Sequence, residues 1–207
     1  MAYRPFLTVL PPMPKLILAS SSVYRQELLR RLSLPFECSS PDIDESPQKD
    51  ESPTEVCERL SRRKAEAISH DHPHAIVIGS DQVASLGGEL MGKPGNRQNA
   101  VEQLQNCSGQ QVDFYTGLCL QLGDQQQFYL ARTQVQFRKL TLEEITNYLT
   151  IEKPWDCAGS FKAESLGICL FTALKSDDPT ALIGLPLIAL SQMLRNWGVN
   201  PLHKSEY

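Results

Sequence analysis

Several chemistries are excluded by what these 207 residues lack. The six cysteines, Cys38, Cys57, Cys107, Cys119, Cys157 and Cys169, include no C-x-x-C pair and are widely spaced. That argues against a zinc site and for reduced, mostly buried thiols in a cytoplasmic protein. His70, His72 and His74 alternate in a stretch rich in Asp and Pro, where solvated residues are the expected reading. No Gly-rich loop ends in Gly-Lys-Ser/Thr, so the P-loop way of holding phosphate is excluded. There is no positive excess either: 20 Lys and Arg against 24 Asp and Glu give a net charge of -4. A broad surface for duplex nucleic acid is therefore not implied, whereas a small anion needs only a few placed cations. No apolar run approaches membrane-spanning length, and Phe6 to Leu10, followed by Pro11-Pro12, is too short for a signal core. Residues 1–14 read as an N-terminal extension and residues 203–207 as a tail.

What is present reads as α/β: a mixed twisted sheet flanked by helices. Leu16 to Ala19 and Ala75 to Ile78 are short apolar runs of the kind buried on both faces of a sheet. Ser52-Pro-Thr-Glu55 and Thr141-Leu-Glu-Glu144 are capping boxes that open helices, and Asn96 caps a third from Arg97 to Cys107. Gly87-Gly88 between apolar stretches predicts a hairpin, Gln111–Leu122 and Phe128–Phe137 predict paired strands, and Ile168 to Phe171 a further strand. Leu187, Leu190 and Leu194 mark the inner face of a last helix.

Candidate chemistry gathers where apolar runs end. Asp81 follows Ala75-Ile-Val-Ile-Gly-Ser and is expected just past a strand's carboxyl end, where α/β sheets collect ligands. Taken alone, Ser80-Asp81 reads equally as a base or metal ligand and as a turn capping the next element. Ser20-Ser21-Ser22 lies between a strand and a helix, with Arg25 one turn in, an arrangement suited to phosphate or to a capped helix with a solvated arginine. Asp42, Asp44 and Glu45 offer oxygens of the type Mg²⁺ favours, in a loop that is otherwise solvated. Lys64 lies four residues from Leu60 and eight from Val56, on the inward stripe, so its ammonium either snorkels out or meets an anion. Lys93, between Gly92 and Pro94, returns from the hairpin toward Asp81. Lys162 and Glu164 stand in a loop of small residues, Cys157 to Gly167, that lets backbone approach a ligand closely.

Together these stretches resemble the Maf family of nucleotide pyrophosphatases. The resemblance is carried by Leu16-Ile-Leu-Ala-Ser-Ser-Ser with Arg25, Ile43-Asp-Glu45, Arg59-Leu60 with Lys64-Ala65, Gly79-Ser-Asp-Gln-Val, Gly92-Lys-Pro94, Cys157-Ala-Gly-Ser-Phe and Gly184-Leu-Pro186, in order along residues 15–202. It implies a single domain of two lobes around a central cleft, similar to inosine triphosphatases. Tyr24 and Gln82 stand where the wider family often has Arg and Thr, which is similar to the YceF-like branch acting on 7-methyl-GTP.

The implied reaction is hydrolysis between the α and β phosphates of a nucleoside triphosphate with help from Mg, Mn or Co. Asp81 and Glu45 are then the catalytic and metal-binding carboxylates, in roles that sequence does not divide between them. Ser20, Ser21, Arg25, Lys64, Lys93 and Lys162 are expected on the phosphates. Tyr24, Gln82 and Glu164 are expected on the base: a cationic 7-methylguanine stacks on Tyr24 for about 0.5–2 kcal/mol and offers two N–H donors to Glu164. The expected partner is a small nucleotide, with neither duplex nucleic acid nor membrane, and a homodimer is left open. Two alternatives stand: a Maf protein for dTTP, UTP or CTP, and a non-catalytic nucleotide-binding regulator of cell division.

Overall fold

The computed structural model describes residues 14–203, so the expectations for residues 1–13 and 204–207 fall outside it. Its centre is a seven-stranded mixed sheet. The strands are β1 (Leu16–Leu18), β2 (Glu37–Cys38), β3 (Ile76–Leu86), β4 (Glu89–Met91), β5 (Gln111–Leu122), β6 (Gln125–Phe137) and β7 (Phe171–Ser176). Their order is β2-β1-β3-β5-β6-β7, with β4 also on β3. The helices are α1 (Val23–Arg30), α2 (Pro53–Ser69), α3 (Arg97–Cys107), α4 (Leu142–Glu152) and α5 (Leu187–Asn196). Ser52 and Thr141 make both halves of their capping boxes, and Asn96 accepts from the Asn99 amide.

One strand departs from expectation in a way that creates the site. The Gly79-Ser80-Asp81-Gln82 stretch is not a turn after a strand but the middle of the eleven-residue β3. Its antiparallel register with β5 runs unbroken from Val77↔Gln121 to Leu86↔Val112 and carries the polar residues through. On the other edge, β1 pairs only with residues 76–78 and β4 only with 84–86. Residues 79–83 thus have β5 on one side and no strand on the other. The chain leaves β1 at Leu18 and turns through the serines into α1, and that gap in the sheet edge becomes the cleft.

The core divides on either side of this gap. One cluster joins β1, α1, the start of β3 and α5 through Leu18, Leu29, Ile78 and Leu190. Another joins α3, α4, β5 and β6 through Leu104, Leu149, Phe114 and Phe137, with Phe161 edge-on to both phenylalanines. The expected strand from Ile168 is instead a 3-10 turn, Leu166–Leu170, and the strand begins at Phe171.

Helix α2 lies unusually close to the sheet. A side chain at Gly79 would collide with the Ser61 carbonyl, and one at Gly117 with the Ser61 hydroxyl. Glycine within a strand marks this kind of close approach. It lets Ser61 accept from the Asp81 amide at 3.0 Å and donate to the Cys57 carbonyl at 2.7 Å.

Candidate active site

Side chains alternate across a strand, so Asp81 faces α2 while Ser80 and Gln82 face the opposite side of the sheet. The inward stripe of α2 brings Lys64 directly over Asp81. Lys64 is 6% exposed and Asp81 7%, and Lys64 Nζ lies 2.6 Å from Asp81 Oδ1. The same ammonium is 2.9 Å from Glu45 Oε1, which reaches in from the loop after β2. That loop is latched to α2 by Arg59, which donates to the Ser46 carbonyl and pairs with Glu51. Burial on its own pushes the Glu45 carboxyl up, but the hydrogen bond and charge of Lys64, with Lys93 and Arg25 beyond, outweigh it and leave the pKa below the ordinary value. Lys93 and Arg25 therefore act on the same carboxylate from two further elements.

These groups line one cleft of about 780 Å³, a volume within the usual range for small-molecule sites. Ser20, Ser21, Tyr24, Arg25, Glu45, Lys64, Asp81, Gln82, Lys93 and Glu164 all face it. At the start of α1, Ser22 caps the helix, and the buried Ser20 hydroxyl accepts from the Ser22 amide at 3.1 Å. Arg25 donates from Nε to the Gly184 carbonyl at 2.9 Å and reaches Ser20 Oγ at 3.5 Å. Elsewhere on the cleft wall, burial, then Cys157 and the acids Glu164, Asp156 and Glu152, push the Tyr24 hydroxyl up to about 12. Burial likewise raises Glu164, aided by Glu152 and Glu27 and opposed by Lys162. The cleft thus holds three cations around two carboxylates, and also an aromatic ring beside further carboxylates.

Two of the expected site residues have partners of their own. Lys162 is turned away from the cleft: its ammonium donates to the Glu152 carbonyl at 2.7 Å, at the carboxyl end of α4. A cation there meets the unpaired carbonyls and the negative end of the helix dipole, which outcompetes a more distant site. Gln82 lines the cleft, but its Nε2 is committed to Thr116 Oγ1 and to the carbonyls of Ala181 and Leu182. Its amide nitrogen is therefore engaged with the turn over Ala181 and Leu182. Sequence reasoning also missed Phe114 and Phe161 on the cleft wall, Asp156 beside Tyr24, and the Gly184 carbonyl beneath Arg25. Of these, Phe161 and Gly184 lie in stretches that the sequence singles out, Cys157-Ala-Gly-Ser-Phe and Gly184-Leu-Pro186, without assigning them a role.

No group of three or more His, Cys, Asp or Glu side chains that could hold a metal by itself occurs among the described residues. Two carboxylates, Asp81 and Glu45, do converge within 3 Å of one point, the Lys64 ammonium. That donor set fits Mg²⁺ or a similar ion, which is commonly held by one or two carboxylates, water and the phosphates of a substrate. No helix among the described residues is long and apolar enough to cross a membrane.

Known proteins bear on this geometry. The family model described as Maf-like protein matches residues 15–197. A protein of Bordetella pertussis named 7-methyl-GTP pyrophosphatase is 53% identical over 189 residues, covering 91% of this chain and 95% of that one. One of the same name from Cupriavidus pinatubonensis is 54% identical over 189 residues, covering 90% and 95%. Among solved structures, the Ham1 protein of Staphylococcus aureus aligns with a TM-score of 0.50 at 12% identity over 88% of this chain and 99% of that one, a likeness of fold alone. A match over this span, together with full-length relatives above half identity, shows that the chain belongs to the Maf family.

Proposed function

We propose that this protein is a cytoplasmic pyrophosphatase that cleaves the α–β phosphoanhydride bond of 7-methyl-GTP, giving 7-methyl-GMP and pyrophosphate. The observation that carries the reading is the cleft at the open edge of β3, where three cations and two carboxylates from five separate elements meet. Binding alone would need only the cations, because carboxylates aimed at an anion oppose it unless a metal ion or water lies between. The names of the relatives support the same choice of substrate.

In this reading Arg25, Lys93 and Lys64 hold the phosphates, with Ser20 and Ser21 at the start of α1. Asp81 accepts a proton from the attacking water as its oxygen bonds to the α phosphorus and the bond to the pyrophosphate oxygen breaks. Charge that develops on pyrophosphate is met by ammonium and guanidinium groups already in place, so little reorganisation is needed. Asp81 and Glu45 would hold the divalent cation, Mg, Mn or Co, which when bound neutralises phosphate charge and acidifies water. Tyr24 offers its ring face to a cationic base and Glu164 accepts from its N–H edge. The test is a steady-state panel of 7-methyl-GTP, GTP, dTTP, UTP and CTP, each with Mg²⁺, Mn²⁺ and Co²⁺, followed by pyrophosphate release. The highest kcat/KM is expected for 7-methyl-GTP, and a preference for pyrimidines would refute the assignment.

A further inference from the structure

The turn that leads into α5 has no part in the reaction just described, yet three of its carbonyls accept hydrogen bonds from side chains of the sheet. Ala181 O accepts from Thr116 Oγ1 at 2.9 Å and from Gln82 Nε2 at 3.0 Å. Leu182 O accepts from the same Gln82 nitrogen at 2.9 Å. Gly184 O accepts twice, from Ser80 Oγ at 3.0 Å and from Arg25 Nε at 2.9 Å. Ser80 and Thr116 are fully buried. Gly184 has φ +125°, a conformation that L side chains rarely adopt, so its carbonyl direction depends on a glycine at that position.

We infer that this turn orients Arg25, with Ser80 as a positioning residue that acts on the guanidinium through the Gly184 carbonyl. The inference rests on the phosphate-binding role proposed above for Arg25. A guanidinium is a planar fork, and fixing its Nε–H fixes the plane. With Nε on Gly184 and one donor of Nη1 toward Ser20, the Nη1–Nη2 edge is left to meet two phosphate oxygens at once. Ser80 donates to that carbonyl, and Gln82 and Thr116 hold the carbonyls of Ala181 and Leu182, three and two residues before it. Residues 80 and 82 lie on the face of β3 opposite Asp81, so a single strand carries the proton acceptor on one side and the support for the phosphate clamp on the other. This also accounts for Gln82: its amide nitrogen serves the support.

The inference predicts non-additivity, since a residue that works through Arg25 loses its effect when Arg25 is gone. Ser80→Ala, Arg25→Ala and the double variant are compared by kcat/KM on 7-methyl-GTP and by calorimetric affinity for inorganic tripolyphosphate, with melting temperature recorded for each. The loss of one buried hydrogen bond corresponds to about a fivefold to tenfold fall for Ser80→Ala in the wild-type background. Less than about a twofold fall is expected in the Arg25→Ala background, because the coupled term has been removed. Arg25→Lys is expected to behave like Arg25→Ala, because one ammonium cannot serve the carbonyl and two phosphate oxygens together. An equal fall in both backgrounds marks Ser80 as merely structural and overturns the inference, as does a silent Ser80→Ala. Wild-type protein that binds tripolyphosphate without turning over any nucleotide refutes the proposed reaction alone, and the same cycle is then read from affinity. Wild-type protein that does not bind tripolyphosphate at all overturns both.

Discussion

The ammonium of Lys64 stands 2.6 Å from the carboxylate of Asp81, and both residues are more than nine-tenths buried. Two glycines on adjacent strands and one serine on α2 make that distance attainable, since they allow the helix to settle on the sheet at the level of Asp81.

Removing one partner of such a pair leaves the other charged and poorly solvated, at a cost of about 3–5 kcal/mol in a dry interior and less beside an open cleft. Lys64→Met is therefore expected to lower the urea midpoint, and Asp81→Asn added to it to restore part of the loss. A Lys64→Met protein that unfolds at the wild-type midpoint would show that the pair does not form in solution.

Gly117→Ala places a methyl group against the Ser61 hydroxyl, with the Cys57 carbonyl at 3.0 Å as the next contact. Overpacking of this kind costs about 1–3 kcal/mol and here also lifts Lys64 from Asp81. Ser61→Ala in the same protein removes the nearest of these contacts, so the double variant should be more stable than Gly117→Ala alone, as read by thermal unfolding. Failure of that rescue would place the strain elsewhere.

The segments that were legible in the sequence are those with local causes. Both capping boxes and the Asn96 cap start their helices where expected, because each is satisfied within three residues. The extent of β3 was not legible, since Gly79-Ser80-Asp81-Gln82 has the composition of a turn and is held extended only by ten register pairs with β5. β7 was missed for a related reason: it is mostly exposed and lacks an apolar run, so its pairing with β6 is the signal. For the site, residue type identified the cations and acids but not their direction. That Lys162 reaches the carboxyl end of α4, and that the Gln82 nitrogen has three acceptors around it, are long-range facts that residue type does not carry.

Discrimination between 7-methyl-GTP and GTP should depend on pH through Glu164. Burial holds its carboxyl above the ordinary value of 4.5, so it takes up a proton earlier than a free glutamate as pH falls. The neutral acid no longer favours a cationic base. The ratio of the two kcat/KM values should therefore decline toward acid with a midpoint above 4.5, whereas Glu164→Gln gives a low, flat ratio. An unchanged ratio in Glu164→Gln would remove the residue from base recognition.

Stability toward acid should depend on Glu51. Its hydrogen bonds with Arg59, followed by that from Gln48, hold it down to about 2 from 4.5. A depressed carboxyl contributes stability that is complete above the unfolded pKa and lost as pH falls through the folded one, here between 4.5 and about 2. Wild-type urea midpoints should drop across that window by more than those of Arg59→Met. Parallel curves for the two proteins would contradict the pairing.

The most direct test of the account is pyrophosphate release from 7-methyl-GTP in Mg²⁺ by wild-type protein and Asp81→Asn side by side, with nucleotide binding measured in both. Asparagine keeps the shape at the open edge of β3 but cannot take a proton, so the variant should bind nucleotide and lose about 10²- to 10⁴-fold in kcat. An Asp81→Asn protein that still releases pyrophosphate at a wild-type rate would contradict the assignment of the reaction to this carboxylate.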